Sequence, residues 1–175
     1  MNRALRIAVE LLTSTEWHAY WKDTVDVNHR EQPRGAHIAD IVTLDGCAVE
    51  VQHKSMSATK ISGRELDHGH MKWIWDARDA YRAGRLTITG FNNGFVTFHW
   101  KNVRRNIRAC RREIFLDLWN LGDTNTRVLL RVQNLDASGK GTGHLITHHS
   151  MRLWITIGIP LRPMNTLPDG LDIGK

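Results

Sequence analysis

HIADIVTLDGCAVEVQHKSMS, residues 37–57, decides how this chain is read. Two apolar strand-like segments flank an Asp45-Gly46 turn signal, and each carries a carboxylate, Asp40 in the first and Glu50 in the second. Side chains alternate across a strand, so Glu50 and Gln52 share one face. A two-residue turn at Asp45-Gly46 would pair residue 41 with 50 and put Asp40 and Glu50 on opposite faces. A three-residue loop, Leu44-Asp45-Gly46, pairs 40 with 50 and puts both on one face. Such loops take a left-handed residue third, and Gly46 stands there. The three-residue turn is therefore the one that would let the two carboxylates work together.

Carboxylates converging from adjacent strands can hold a hard divalent cation against a phosphate. On that reading Asp40 and Glu50 ligate the ion. Gln52 orients a water but cannot exchange a proton at neutral pH. Lys54, expected on the same strand face, supplies positive charge. The plain alternative is a hairpin whose polar residues face water.

Composition narrows the context. With 175 residues, one domain with a real core is expected. Lys and Arg number 24 against 18 Asp and Glu, a formal charge of +6, with ten histidines besides. That balance fits a polyanion partner. Cys47 and Cys110 form no CxxC pair, which argues against a structural zinc and for buried thiols in a reducing compartment. LWITIGIPL is too short to span a membrane, and Glu10 interrupts the only signal-like stretch. The expectation is a cytoplasmic protein with no membrane partner.

Leu5, Ala8, Val9 and Leu12 follow helical spacing. Thr13 and Glu16 match a capping box, predicting a helix through Lys22. VDVNHREQPRG reads as a polar loop. A helix is expected over Ser57–Leu66, with Ser57 as N-cap. Strands are expected at MKWIW (71–75), at FVTFHW (95–100) after the Asn92-Asn93-Gly94 turn, at 127–133 and around 144–147. Val103, Ile107, Cys110, Ile114, Leu118 and Leu121 predict an amphipathic helix over 103–121. The tail after Pro160 reads as irregular. The expected class is α/β, a mixed central sheet flanked by helices.

Further residues could serve a site. His18 and Lys22 share a helix face and could touch a phosphate or the metal, or form a solvated face. Glu16 lies nearly opposite and is either a distant metal ligand or Thr13's partner in the cap. Arg104, Arg105, Arg108 and Arg112, with Lys101 and Arg111, could track a DNA backbone or form a solvated helix face. The adjacent pair His148-His149, read as strand, points to opposite faces. The seven tryptophans are expected in or beside the core, with Trp100, near the basic segment, as a base-stacking candidate.

The motifs TEWHAYWK (15–22), HIAD (37–40), AVEVQH (48–53), S-x6-RE (57–65) and MKWIWD (71–76) occur in order. Together they resemble the competence protein CoiA-like nucleases, a branch of the PD-(D/E)XK superfamily. Asp67-His68 stand where members often show an aromatic, and Lys54 precedes Ser55. The resemblance implies a restriction-endonuclease-like core over about residues 13–135, within one domain spanning 1–175, and a C-terminal extension after 135. It implies a DNA nuclease dependent on Mg²⁺ or Mn²⁺ in phage or bacterial DNA processing or recombination, with a homodimer as one arrangement. Asp40 and Glu50 would be metal ligands and Gln52 would replace the usual lysine. Glu16, His18 and Lys22 would form the first-helix motif, and Arg64 would match the arginine after the Glu-x-Gln strand. The alternative is a non-catalytic DNA-binding or recombination-accessory protein on a decayed nuclease fold. An RNA-processing factor would share the same electrostatics.

Overall fold

The structure, a computed structural model, describes residues 12–169, 171 and 173. The helix expected over Leu5–Leu12 thus falls, Leu12 apart, outside the described residues. Helix α1 (Ser14–Lys22) opens with the predicted capping box: Thr13 Oγ1 accepts from the Glu16 amide, and the Glu16 carboxylate accepts from the Thr13 amide. Strands β1 (Arg30–Arg34), β2 (His37–Val42) and β3 (Ala48–Gln52) form an antiparallel meander. Helix α2 (Ala58–His68), N-capped by Ser57, crosses over to β4 (Met71–Asp76), which runs parallel to β3. Next come α3 (Arg78–Arg82), the hairpin β5 (Leu86–Asn92) and β6 (Phe95–Trp100), and β7 (Glu113–Asn120). The chain continues as β8 (Arg127–Leu135), β9 (Lys140–Thr147) and α4 (His148–Ile157).

Among the described residues, nine strands form one mixed sheet in the order β1-β2-β3-β4-β7-β8-β9-β6-β5. The class is α/β, as expected. Helices α2 and α3 cover one face, where Ile61 and Ala80 pack with Trp73, Trp75, Leu116 and Leu130. Helices α1 and α4 cover the other, where Trp17, Trp21, Met151 and Trp154 pack with Val49, Val51, Ile74 and Phe115. Beyond residue 135, β9 lies inside this sheet between β8 and β6, and α4 belongs to its core. Among the described residues past Pro160, the chain is irregular apart from a single bridge from Pro163 to Ile146.

Three expectations are corrected. The segment 25–35 is not all loop: residues 30–34 form β1, an edge strand, the setting in which Pro33 is tolerated. The arginine-rich segment 103–121 is not a helix. Its first half is irregular around a short 3₁₀ turn (Ile107–Ala109), and its second half is β7. The Arg111 and Arg112 amides donate to the Glu65 carboxylate instead of to carbonyls one turn back. Residues 113–120 then enter the sheet centre parallel to β4, buried on both faces, where a continuous apolar run replaces alternation. His148 and His149 begin α4 and are not on a strand.

At the centre of this architecture is Asp117 of β7, with no exposure to water. Its carboxylate accepts from the indole N–H groups of Trp17 (2.8 Å) and Trp21 (2.9 Å), from His148 Nε2 (2.9 Å) and from the Trp119 amide (2.8 Å). A register shift between Asp117 and Trp119, with Trp119 at φ +67°, turns that amide back onto the carboxylate. Burial pushes the Asp117 carboxyl up, but His148 and the other donors outweigh it and hold it below the usual aspartate range.

Asp117→Ala strands four buried donors and should lower the urea-unfolding free energy by about 3–5 kcal/mol. An unchanged midpoint would contradict the hub. Because the native carboxyl titrates below its unfolded value, its stabilisation is full above about pH 4 and is lost as pH falls through the native value. The wild-type midpoint should therefore fall steeply on acidification below that pH, and the Asp117→Ala midpoint less so.

Candidate functional site

The hairpin carrying Asp40 and Glu50 closes with the three-residue loop expected. Thr43 and Cys47 pair across it, and Gly46 takes φ +78°. Ladder pairs are Val42 with Ala48 and Ile41 with Val49, the register that sets residue 40 against 50. The ladder stops at Ile41. The Asp40 carboxylate itself takes the next β3 amide, Val51 N–H, at 2.9 Å. Facing alternation breaks at the same point, since Ile41 packs on the α1 side and Ala39 on the α2 side.

The two carboxylates consequently have different surroundings. Asp40 Oδ1 lies 3.3 Å from His18 Nε2 of α1. Burial raises the Asp40 carboxyl, but the hydrogen bonds from His18 and the Val51 amide outweigh it and keep it below the ordinary range. Glu50, 2% exposed, accepts on Oε1 from Arg64 Nη1 (2.5 Å) and His68 Nε2 (2.6 Å), both on α2. Arg64 also donates to the Ile38 carbonyl. Asp40 is thus held from α1 and Glu50 from α2, on opposite sides of the sheet. Among the described residues no three His, Cys, Asp or Glu side chains form a group that could hold a metal ion.

Around Asp40 the chain assembles a polar cleft. Trp17 and Trp21 face the core, so His18 and Lys22 are turned outward one step around α1. Lys22 Nζ pairs with Glu31 Oε1 at 2.5 Å. That hydrogen bond and charge hold the Glu31 carboxyl down. Glu31 has φ +50°, a conformation costly for a glutamate. An open hollow of about 500 Å³ is lined by His18, Lys22, Arg30 and Glu31. His53, just past β3, sets its ring edge-on to His18 at 6.1 Å between centroids. Partial burial, and then the charge of His18, lowers the His53 pKa.

The other expected residues scatter. Glu16 is committed to the helix cap, away from His18. Gln52 donates to the Lys54 carbonyl, and Lys54 lies exposed beyond the end of β3. Arg104 reaches the His53 carbonyl and so borders the cleft, whereas Arg108 donates to the Ala137 carbonyl. Arg105 and Arg112 are exposed on the irregular segment. Trp100 is buried, which removes it as a base-stacking surface. Glu31, His53 and His68 are residues that sequence reasoning missed. Glu31 and His53 each lie on or next to a strand flanking the cleft, and His68 sits one helical turn beyond Arg64.

Comparison with family models, with curated proteins and with solved structures finds no match for this chain.

Arg64→Ala should cost about 2 kcal/mol, because Glu50 would stay buried with only His68 as partner. Changing Glu50 to Gln in the same chain should recover part of that loss. Urea unfolding of the single and double variants measures both. A single variant as stable as wild type would mean Glu50 does not depend on Arg64.

Proposed function

We propose that the chain is a metal-dependent DNA nuclease on a restriction-endonuclease-like core, acting at the fork where β2 and β3 part. One observation carries the reading. Asp40 ends the β2–β3 ladder and is flanked by His18 and Lys22 from a helix whose orientation is fixed by buried tryptophans. The element order supports it. The run α1, β1, β2, β3, α2, β4, with β3 parallel to β4, sets the Asp strand beside the Glu-x-Gln strand under helices on both faces. The formal charge of +6 adds long-range attraction for a polyanion. Cytoplasmic DNA is the partner under this reading, and a homodimer would allow both strands to be cut. Among the described residues no helix is long and apolar enough to cross a membrane.

Mg²⁺ or Mn²⁺ is the implied cofactor, which would polarise the scissile phosphate and acidify an attacking water. The side chains as they stand do not fit one ion shared by Asp40 and Glu50. Asp40 faces α1, and Glu50 is bonded to Arg64 and His68 on the other side of the sheet. What the chain's own groups supply is a phosphate cradle: His18 and Lys22 offer N–H donors beside Asp40, and Arg104 borders it. The ion pairs on Glu50 also favour a second reading, a non-catalytic DNA-binding or recombination-accessory protein on a decayed nuclease fold. A buried carboxylate paired with the Arg64 guanidinium needs no metal to balance its charge.

Plasmid, linear duplex and single-stranded DNA, each incubated with Mg²⁺, Mn²⁺ or EDTA, separate the readings. The nuclease reading expects products only with metal, abolished by Asp40→Ala and by Glu50→Ala, with DNA binding in EDTA retained. Normal cleavage by both variants would make the site assignment wrong. Salt-sensitive binding without products would leave the accessory reading. Absence of any DNA binding would end both.

A further inference from the structure

A second basic surface lies across α1 from His18 and Lys22. Tyr20 projects from that opposite flank, and its hydroxyl is 3.2 Å from His148 Nδ1, while His148 Nε2 is bonded to Asp117. Two arginines border the Tyr20 ring. Arg152 of α4 has its Cζ 5.7 Å from the ring centroid, and Arg127 of β8 has its Cζ at 5.9 Å and 4.3 Å from the Trp119 centroid. Two hollows, of about 350 and 440 Å³, meet at His148 and His149 between these arginines, and no residue lining either is acidic. The positive end of the α4 dipole opens on the same hollows.

Arg82 on the surface of α3 pairs with the carboxylate of Asp79. Arg127 and Arg152 rest against aromatic rings instead. A guanidinium over a ring face keeps its in-plane N–H donors available for an oxyanion, and the ring restricts its freedom beforehand. The buried His148, bonded to Asp117 through Nε2, meets the Tyr20 hydroxyl through Nδ1, on the ring that both cations border. The group that suits this arrangement is a compact anion able to accept several charge-assisted hydrogen bonds at once.

We infer that Tyr20, Arg127, His149 and Arg152 form a second phosphate subsite, which takes a backbone phosphate of the nucleic acid whose other part lies at the β2–β3 fork. The inference rests on the DNA reading above and gives it a direction: the strand passes over α1 from the Asp40 cleft to the α4 surface. Asp117 links the two subsites, since its indole and imidazole donors fix both α1 and α4.

The test is fluorescence anisotropy with labelled single-stranded and duplex DNA in EDTA over a salt series. Arg127→Gln/Arg152→Gln should weaken binding about tenfold and flatten the salt dependence by about two released counterions. Arg85→Gln/Lys140→Gln removes the same charge from exposed positions elsewhere and should shift binding by less than half as much on the logarithmic scale. Arg152→Glu, at an exposed helix position, should weaken binding further than Arg152→Gln while leaving the thermal midpoint in place. Inorganic phosphate should compete at millimolar concentration with the wild type but not with the double variant. If wild type binds DNA and the two double variants weaken it equally, the subsite is wrong and the DNA reading survives. If wild type binds no DNA but phosphate still titrates into it and not into the double variant, the surface serves a free phosphate and the strand path is wrong. If neither ligand binds, subsite and DNA reading both fail.

Discussion

The fold depends on one buried anion. Asp117 sits on a central strand, out of contact with water, and a carboxylate there is tolerable only when its oxygens are filled with donors. It draws them from two indoles of α1, from His148 of α4 and from the backbone of its own strand. The two helices on this face are thereby tied to one point of the sheet. Apolar packing of Trp17, Trp21, Met151 and Trp154 would tolerate sliding. Directed hydrogen bonds to a shared carboxylate do not, so the polar hub sets orientation where packing sets stability.

Orientation is what the outer surface needs. Once Trp17 and Trp21 are fixed inward, helical geometry turns His18 and Lys22 to one flank and Tyr20 to the other. The first flank meets Asp40, Glu31 and His53. The second meets Arg127, Arg152 and the histidines of α4. Each flank also holds a non-glycine residue in the left-handed region, Glu31 beside Lys22 and Trp119 beneath Arg127. Such backbone persists only where its surroundings over-determine it, and here they are a charged pair and an aromatic–cation stack on the two sides of one helix.

Local patterns in the sequence carried the parts of the fold whose partners are close in the chain. The Thr13–Glu16 cap, the Gly46 turn with its register, the Asn93-Gly94 turn and the MKWIW strand all follow from residues within a few positions of each other. Two segments misled. REQPR is polar because β1 is an edge strand, so it carries no alternation strong enough to notice. Residues 103–121 match a helical period, yet their second half is a strand buried on both faces, where periodicity loses its meaning. The hub was invisible because Asp117 meets Trp17 and Trp21 from 100 and 96 residues away in the chain. The turn correctly brought residues 40 and 50 into register. It could not reveal that β2 and β3 part there, leaving Asp40 to α1 and Glu50 to Arg64 and His68.

The most direct test of this account is the exchange of the tryptophan indole protons, followed by ¹⁵N NMR in deuterated buffer. If Asp117 holds α1, the Trp17 and Trp21 indole protons exchange only as slowly as the most protected amides of β7, and both resonances move together in Asp117→Asn while that of Trp73, bonded to Glu65, stays in place. Rapid, independent exchange of Trp17 and Trp21, with shifts indifferent to the Asp117 substitution, would contradict it.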